Sequence, residues 1–148
     1  MSQPSPKAVQ YAKNAEIAWN QGDVDAIVLG ASIDCHWRDR VDFLWGREQI
    51  RAHILRQARR QLDLRCIIEP WAEEAGRLSL RFVREFRDDG SRWFRVYGNE
   101  ELEFDHATLV QRRFTAANEH MIEERERALR WEPGPRPHDQ PDLFDLRF

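Results

Sequence analysis

The sequence predicts an α+β fold in which three helices near the start of the chain pack against long antiparallel strands. Apolar residues recur with helical spacing up to about residue 60, whereas beyond residue 62 they alternate with polar residues, as is typical of strands. The segment Asp88-Asp89-Gly90-Ser91 separates two alternating runs and indicates a hairpin. Since a sheet must bury one apolar face, we expect the helices to cover one face of it.

Each predicted helix has recognisable ends. Ser5 is suited to cap the first helix through its hydroxyl, and Gly22 ends it because glycine adopts the left-handed conformation without strain. Asp23 caps a second, short helix that Gly30 closes. The third helix is predicted over residues 47–60, with its apolar residues on one stripe.

Five strands follow from the alternating runs, and Pro70 falls within the second of them. Proline cannot donate a ladder hydrogen bond, so this point is predicted to be a sheet edge or a bulge. A long twisted sheet folded round helices leaves a cone with a mouth, which is a common place for a ligand. The predicted strands cover residues 33–38, 62–72, 78–86, 92–104 and 108–122.

Charge decides the register of the predicted hairpin. One register places Glu85 opposite Arg95 and Leu78 opposite Leu102, so that the paired residues agree in character. A slip by one residue would place Arg84 opposite Arg95, and the two charges would repel. We therefore predict the first register.

Residues 131–148 form a proline-rich tail after a domain that we place at residues 1–130. Four prolines exclude regular helix or strand there. A solvated tail has no use for large apolar side chains, so we expect this one to be ordered and to wrap the domain or a partner subunit. Those side chains are Trp131, Leu143, Phe144, Leu146 and Phe148.

Composition excludes several classes of function. The net charge of −3 over 148 residues argues against a nucleic-acid partner. The longest uncharged apolar stretch, residues 26–33, is too short to cross a membrane. Two cysteines are too few for a disulfide framework or a zinc site, and no phosphate-binding glycine loop is present. We expect a soluble cytoplasmic protein without a metal or other cofactor.

The strand 92–104 carries the most chemically varied face in the sequence. Period-two alternation places six residues on one side: Trp93, Arg95, Tyr97, Asn99, Glu101 and Glu103. This mixture of aromatic, cationic, amide and acidic groups suits a pocket with a polar floor, although the same residue types are enriched in dimer interfaces. The opposite side is core-like and carries Phe94, Val96, Gly98, Glu100, Leu102 and Phe104.

Several blocks of residues resemble a SnoaL-like subfamily of the nuclear transport factor two-like superfamily, known chiefly as a domain of unknown function. The most specific block is Tyr97-Gly98-Asn99-Glu100, and the resemblance covers nearly the whole chain. The other blocks are Trp37-Arg38-x-Arg40, Phe43-Leu44-x-Gly46-Arg47, Glu69-x-Trp71 and Glu103-Phe104-Asp105.

The resemblance implies a cone-shaped α+β barrel with a deep pocket, often assembled as a homodimer. Relatives include polyketide cyclases, ketosteroid isomerases, dehydratases, epoxide hydrolases and non-catalytic binding proteins. The fold therefore transfers to this chain, whereas the activity does not.

The leading hypothesis is a protein with a small-molecule pocket that performs acid/base chemistry on an apolar or carbonyl-containing metabolite. Arg95 would orient the ligand, Tyr97 would donate a hydrogen bond to developing negative charge, and Glu119 or Glu101 would act as the base. The alternative is a non-catalytic binding or dimeric assembly module, in which the Trp93–Glu103 face builds the dimer. The predicted ligand-binding residues are Trp37, Trp45, Trp93, Asn99 and Asn118.

Overall fold

Three helices and a six-stranded sheet make up the computed structural model, which describes residues 3–148. The helices are α1 (Pro6–Gln21), α2 (Val24–Leu29) and α3 (Gly46–Arg60). The strands are β1 (Ala31–Asp39), β2 (Asp42–Trp45), β3 (Leu62–Glu74), β4 (Arg77–Arg87), β5 (Trp93–Phe104) and β6 (Val110–Ile122), and a short 3-10 helix spans Glu124–Glu126.

The sheet is mixed and open, with the strand order β2-β1-β6-β5-β4-β3. The α+β class and the packing of three helices on a curved sheet are confirmed. The prediction of a purely antiparallel sheet differs at one pair, because β1 runs parallel to β6. The strand β2 was not predicted, since it has only four residues and forms a tight hairpin with β1 through Arg40, whose φ is 57°.

The predicted hairpin register is confirmed. Glu85 lies opposite Arg95 and Leu78 lies opposite Leu102 across β4 and β5. The role of Pro70 is also confirmed: β3 is an edge strand, and its register shifts just after this residue. Charge and side-chain alternation therefore sufficed to align these strands.

The predicted helix ends are observed as well. The Ser5 hydroxyl accepts a hydrogen bond from the Ala8 N–H at 3.1 Å, and Gly22 has a φ of 65°. Asp23 caps α2 in the same manner through the Ala26 N–H.

Apolar cores lie on both faces of the sheet. The face under the helices, called the helix face, packs Trp37, Ile50 and Phe82 among others. The opposite face, called the tail face, carries Ile67 and Val83, and residues of the tail cover them. Leu129, just before the tail, and the tail residues Trp131 and Leu143 are buried in this second core.

The helix α1 also protects the free edge of β3. The Asn20 amide exchanges two hydrogen bonds with the Cys66 backbone, at 2.9 and 2.8 Å. Glu16 accepts from the Ile68 N–H at 3.0 Å and from Arg136 of the tail at 3.0 Å. An edge strand with unpaired backbone groups is prone to pair with another chain, and these side chains prevent that here.

Candidate functional site

The varied row of β5 lies on the tail face and not beneath the helices. Tyr97 packs beside Val83 in the tail-face core and contacts Phe148 edge to face. This row therefore does not line the hollow under the helices. Alternation sorts residues into two faces, but the polar and aromatic row suits a face covered by the tail as well as it suits a pocket.

Arg95 is held by a closed set of contacts on the tail face. Its Nε donates to the Glu85 carboxylate at 2.8 Å, and its other nitrogens donate to the Tyr97 hydroxyl at 3.2 Å and the Glu126 carbonyl at 2.6 Å. The Phe148 ring lies 4.7 Å from the guanidinium. These contacts fasten the tail to the sheet.

The remaining predicted site residues are not brought together. Trp93 is buried under the guanidinium of Arg127, and Asn99 and Asn118 are exposed on the tail face. Trp45 lies on β2 and is 57% exposed. Glu119 is on the helix face near the C-terminal end of α3, in a shallow hollow shared with Arg60. Of the predicted residues, the structure places Trp37 in the wall of an interior cavity.

That cavity lies between the helices and the helix face and has a volume of about 300 Å³. Small residues of α1 and α2 leave the space open, and aromatic rings form much of its wall. Its polar side chains come from α1, β5, β6 and the turn before β6. The residues that define its chemistry are Tyr11, Asn14, Trp19, Trp37, Glu100 and Arg113.

A carboxylate and a guanidinium form an ion pair at the floor of the cavity. Arg113 Nε and the Thr115 hydroxyl each donate to Glu100 Oε2 at 2.6 Å. Trp37 Nε1 donates to Thr115 at 2.9 Å, and its ring lies 4.1 Å from the Arg113 guanidinium. Among residues 3–148, Glu100 Oε1 and the terminal nitrogens of Arg113 have no hydrogen-bond partner, which leaves them available to a ligand.

Burial sets the protonation of the neighbouring groups. It raises the pKa of Tyr11 to about 12, so the hydroxyl remains a hydrogen-bond donor at neutral pH. It likewise raises the pKa of Cys35 to about 11, which keeps this thiol from acting as a nucleophile. Burial alone would lower the pKa of Arg113, but the charge of Glu100 and its hydrogen bond raise it above the ordinary value.

A second buried carboxylate lies behind Trp37. Asp39 Oδ2 is 2.7 Å from His53 Nε2 and accepts from Gln57 at 2.8 Å, and the His53 ring packs edge-on against Trp37. Burial raises the pKa of Asp39, but the hydrogen bond from His53 and the charge of Arg40 leave it below its ordinary value. This network positions Trp37 and stays outside the cavity.

Sequence reasoning missed Tyr11, Glu100 and Arg113 as site residues. A signal was present, because Glu100 is the one charged residue in the core-like row of β5. A carboxylate in an apolar row is seldom buried without a partner. The partner was not evident, since Arg113 lies on β6 and meets Glu100 only through the pairing of the two strands.

No helix within residues 3–148 has both the length and the apolar character that crossing a bilayer requires. The same described residues contain no cluster of three or more histidine, cysteine or acidic side chains that could hold a metal ion.

Solved structures with similar folds define the class of this protein. A hypothetical protein with a ketosteroid isomerase-like fold from Catenulispora acidiphila, crystallised with trimethylamine, superposes with a TM-score of 0.64 at 17% identity, covering 76% of this chain and 86% of its own. A SnoaL-like polyketide cyclase from Shewanella denitrificans gives 0.66 at 16%, covering 77% and 92%. The chain has the nuclear transport factor two-like α+β fold.

A third structure of this fold is an epoxide hydrolase/cyclase-like enzyme, SalBIII, with a role in pyran ring formation in salinomycin. Its TM-score is 0.58 at 16% identity, covering 70% of this chain and 86% of its own. A comparison with curated proteins finds no match. The model of the family described as "Protein of unknown function (DUF1348)" matches residues 4–130, and the chain belongs to that family.

Proposed function

We propose that the protein binds a small neutral carbonyl compound in the cavity under the helices and moves a proton at the carbon next to the carbonyl. One observation carries the proposal: a carboxylate oxygen without a protein partner and two kinds of hydrogen-bond donor line the same mostly apolar cavity. A site of this composition fits the general pattern of ligand pockets, which are apolar with a few placed polar groups.

The reaction divides between three side chains. Glu100 Oε1 removes a proton from the carbon beside the carbonyl, and the electron pair of that C–H bond forms the carbon–carbon double bond of an enolate. The carbonyl π electrons move onto the oxygen, where Tyr11 and Arg113 donate hydrogen bonds to the negative charge. Glu100 then returns the proton to the same or another carbon.

Charge balance favours a neutral ligand over an anion. Arg113 and Glu100 together carry no net charge, and both are largely enclosed. A carboxylate ligand would add an unpaired buried charge, which is costly in a low-dielectric site. A ketone, ester or lactone oxygen needs only hydrogen-bond donors, and the cavity supplies them.

The similar structures support the binding of a small molecule. Two of these structures are described as a polyketide cyclase and an epoxide hydrolase/cyclase-like enzyme, and a third was crystallised with a small molecule. Since identities are 17% or lower, these likenesses support a ligand-binding cavity and leave the reaction to experiment.

Deuterium exchange into 2-octanone in D₂O, followed by proton NMR, tests the proposal without a known substrate. We expect the protein to accelerate exchange of the hydrogens beside the carbonyl. Glu100→Gln should lower the rate about 100-fold or more, because the base is lost. Binding of the ketone without exchange would contradict the catalytic part and leave a binding protein.

The two tyrosines provide a matched pair, since the sequence contains only these two and they lie on opposite faces of the sheet. Tyr11→Phe should lower the exchange rate about 100-fold, whereas Tyr97→Phe should leave it unchanged. The reverse result would place the site on the tail face. It would favour the sequence-based prediction that Arg95 and Tyr97 are catalytic.

We also propose that the protein forms a homodimer. Phe43 and Phe114 flank Arg38 in a row across β2, β1 and β6 on the tail side, and they are 67% and 39% exposed. Exposed aromatic residues beside an arginine are typical of interfaces. Sedimentation should give a dimer that Phe43→Ser dissociates and that Phe144→Ser, in the exposed part of the tail, does not.

We further propose that the protein is located in the cytoplasm. The two cysteines are free and buried, which favours a reducing compartment.

A further inference from the structure

A second hollow adjoins the cavity under the helices. Its volume is about 390 Å³, and it lies between the first half of α1, the β3–β4 turn and the turn before β6. The two hollows share three lining residues and so lie side by side, and we call this shared boundary the neck: Tyr11, Asn14 and Thr108.

The neck is built on an unusual backbone. Thr108 has a φ of 61°, a left-handed conformation that β-branched residues rarely adopt. The Asp105 carboxylate holds the turn by accepting from the N–H groups of Ala107 and Leu109 at 2.9 Å each. The Thr108 hydroxyl donates to the Ala107 carbonyl at 2.6 Å. Strain of this kind persists where the surrounding structure enforces it, often at ligand sites.

The outer hollow has an apolar base and a charged rim. Leu78 and Phe104 form part of the base, and the Phe104 ring contacts Tyr11 edge to face at 5.2 Å between centroids. Lys7, Glu74 and Arg77 lie around the opening. An apolar base continuous with the apolar wall of the inner cavity suits a hydrocarbon chain better than a polar one.

We propose that the ligand is longer than the inner cavity and occupies both hollows. Its carbonyl head lies against Tyr11, Glu100 and Arg113, and an unbranched apolar extension passes the neck at Thr108 into the outer hollow. This inference rests on the proposed function, and it names the substrate class as carbonyl compounds with an extended aliphatic part.

A series of methyl ketones tests the length of the site. The concentration of 2-pentanone, 2-octanone or 2-undecanone that gives half-maximal exchange is measured with the full chain. Each methylene buried in the outer hollow should tighten binding about threefold to fourfold. The half-saturating concentration should therefore keep falling from eight to eleven carbons.

Two tryptophan variants on α1 distinguish the effect of filling the outer hollow from the general effect of a bulky side chain on this helix. Gln10 is exposed and lines the outer hollow, so Gln10→Trp should fill it and abolish the gain for 2-undecanone while 2-pentanone binds as before. Lys13 is exposed on the same helix and lines neither hollow, so Lys13→Trp should change neither ketone.

Failure of the two-hollow site can be distinguished from failure of the proposed function. Equal half-saturating concentrations for all three ketones, or an equal effect of both tryptophan variants, would overturn the two-hollow site while exchange itself still supports the proposed function. Absence of exchange and of binding with every ketone would overturn both.

Discussion

The two faces of the sheet each bury a glutamate–arginine pair. The two pairs differ in how many carboxylate oxygens of the glutamate accept hydrogen bonds from the protein. On the tail face, both oxygens of Glu85 are used: they accept from Arg95 at 2.8 Å and from the backbone N–H groups of Ala128 and Leu129 at 2.9 to 3.1 Å. On the helix face, Oε2 alone of Glu100 has protein partners. Similar residues therefore join two segments on one face and leave a carboxylate oxygen without a protein partner on the other.

The arginines show the same contrast. Arg95 donates to a carboxylate, a hydroxyl and a carbonyl, whereas Arg113 donates to Glu100 alone among residues 3–148. A buried ion pair is weak evidence of either stability or function by itself. The unused donors and acceptors distinguish the two roles, and variants of each pair can test this distinction.

The largest expected effect is on the tail face. Glu85→Gln leaves Arg95 without its charge partner in a buried site, and we expect it to lower the free energy of unfolding by about 3–5 kcal/mol in urea titrations. Glu100→Gln should lose less, because Arg113 faces a cavity and a bound water can replace the lost partner. Equal losses for the two variants would refute the contrast between the faces.

Removing the charge of Asp39 tests the closed network behind the cavity. Because the pKa of Asp39 is lowered in the folded state, its charge contributes stability above the unfolded pKa of about 3.9, and that contribution is lost as the pH falls through the folded value. Asp39→Asn should cost about 1.5–3 kcal/mol at pH 7.

Urea titrations between pH 7 and pH 2 measure this contribution. The difference in stability between the wild type and Asp39→Asn should shrink as the pH falls below about 4. A difference that stays constant over the whole range would show that the carboxylate charge contributes nothing.

Gly98 tests the packing on the helix face of the sheet. A Cβ at this position would lie 2.1 Å from the Phe82 ring, which covers the glycine across the strand pair. Gly98→Ala should therefore cost about 1–3 kcal/mol through overpacking. Combined with Phe82→Leu, the loss should be smaller than the sum of the two single losses, and strict additivity would contradict the contact.

The smallest expected effect is at the start of α1. Ser5 caps the helix and also bonds Glu73 on the edge strand β3. Ser5→Ala should lower the free energy of unfolding by about 1 kcal/mol. The helix α1 carries Tyr11, and Tyr11 keeps its position as long as the helix stays folded. The exchange rate at 25 °C should therefore remain unchanged. A parallel loss of rate would mean that the cap also positions the residues of the cavity.

Much of the fold was predictable from local patterns. Ser5, Gly22 and Asp23 marked helix ends because capping depends on a few neighbouring backbone groups. The register of β4 and β5 followed from Glu85 and Arg95, since a one-residue slip exchanges the two faces and places like charges together. The short strand β2 and the parallel pair of β1 with β6 were not predictable, because both depend on contacts made across the whole chain.

The candidate site depended on tertiary structure more strongly. The sequence alone determined that β5 has two unlike faces, because period-two alternation is a local property of the chain. Only the folded chain decided which face the helices cover, since residues 124–148 pack on the row of Arg95 and Tyr97 and leave Glu100 facing the cavity. Enclosure is a non-local property: it depends on which distant segments remove water from a face, and the alternation within one strand carries no information about them.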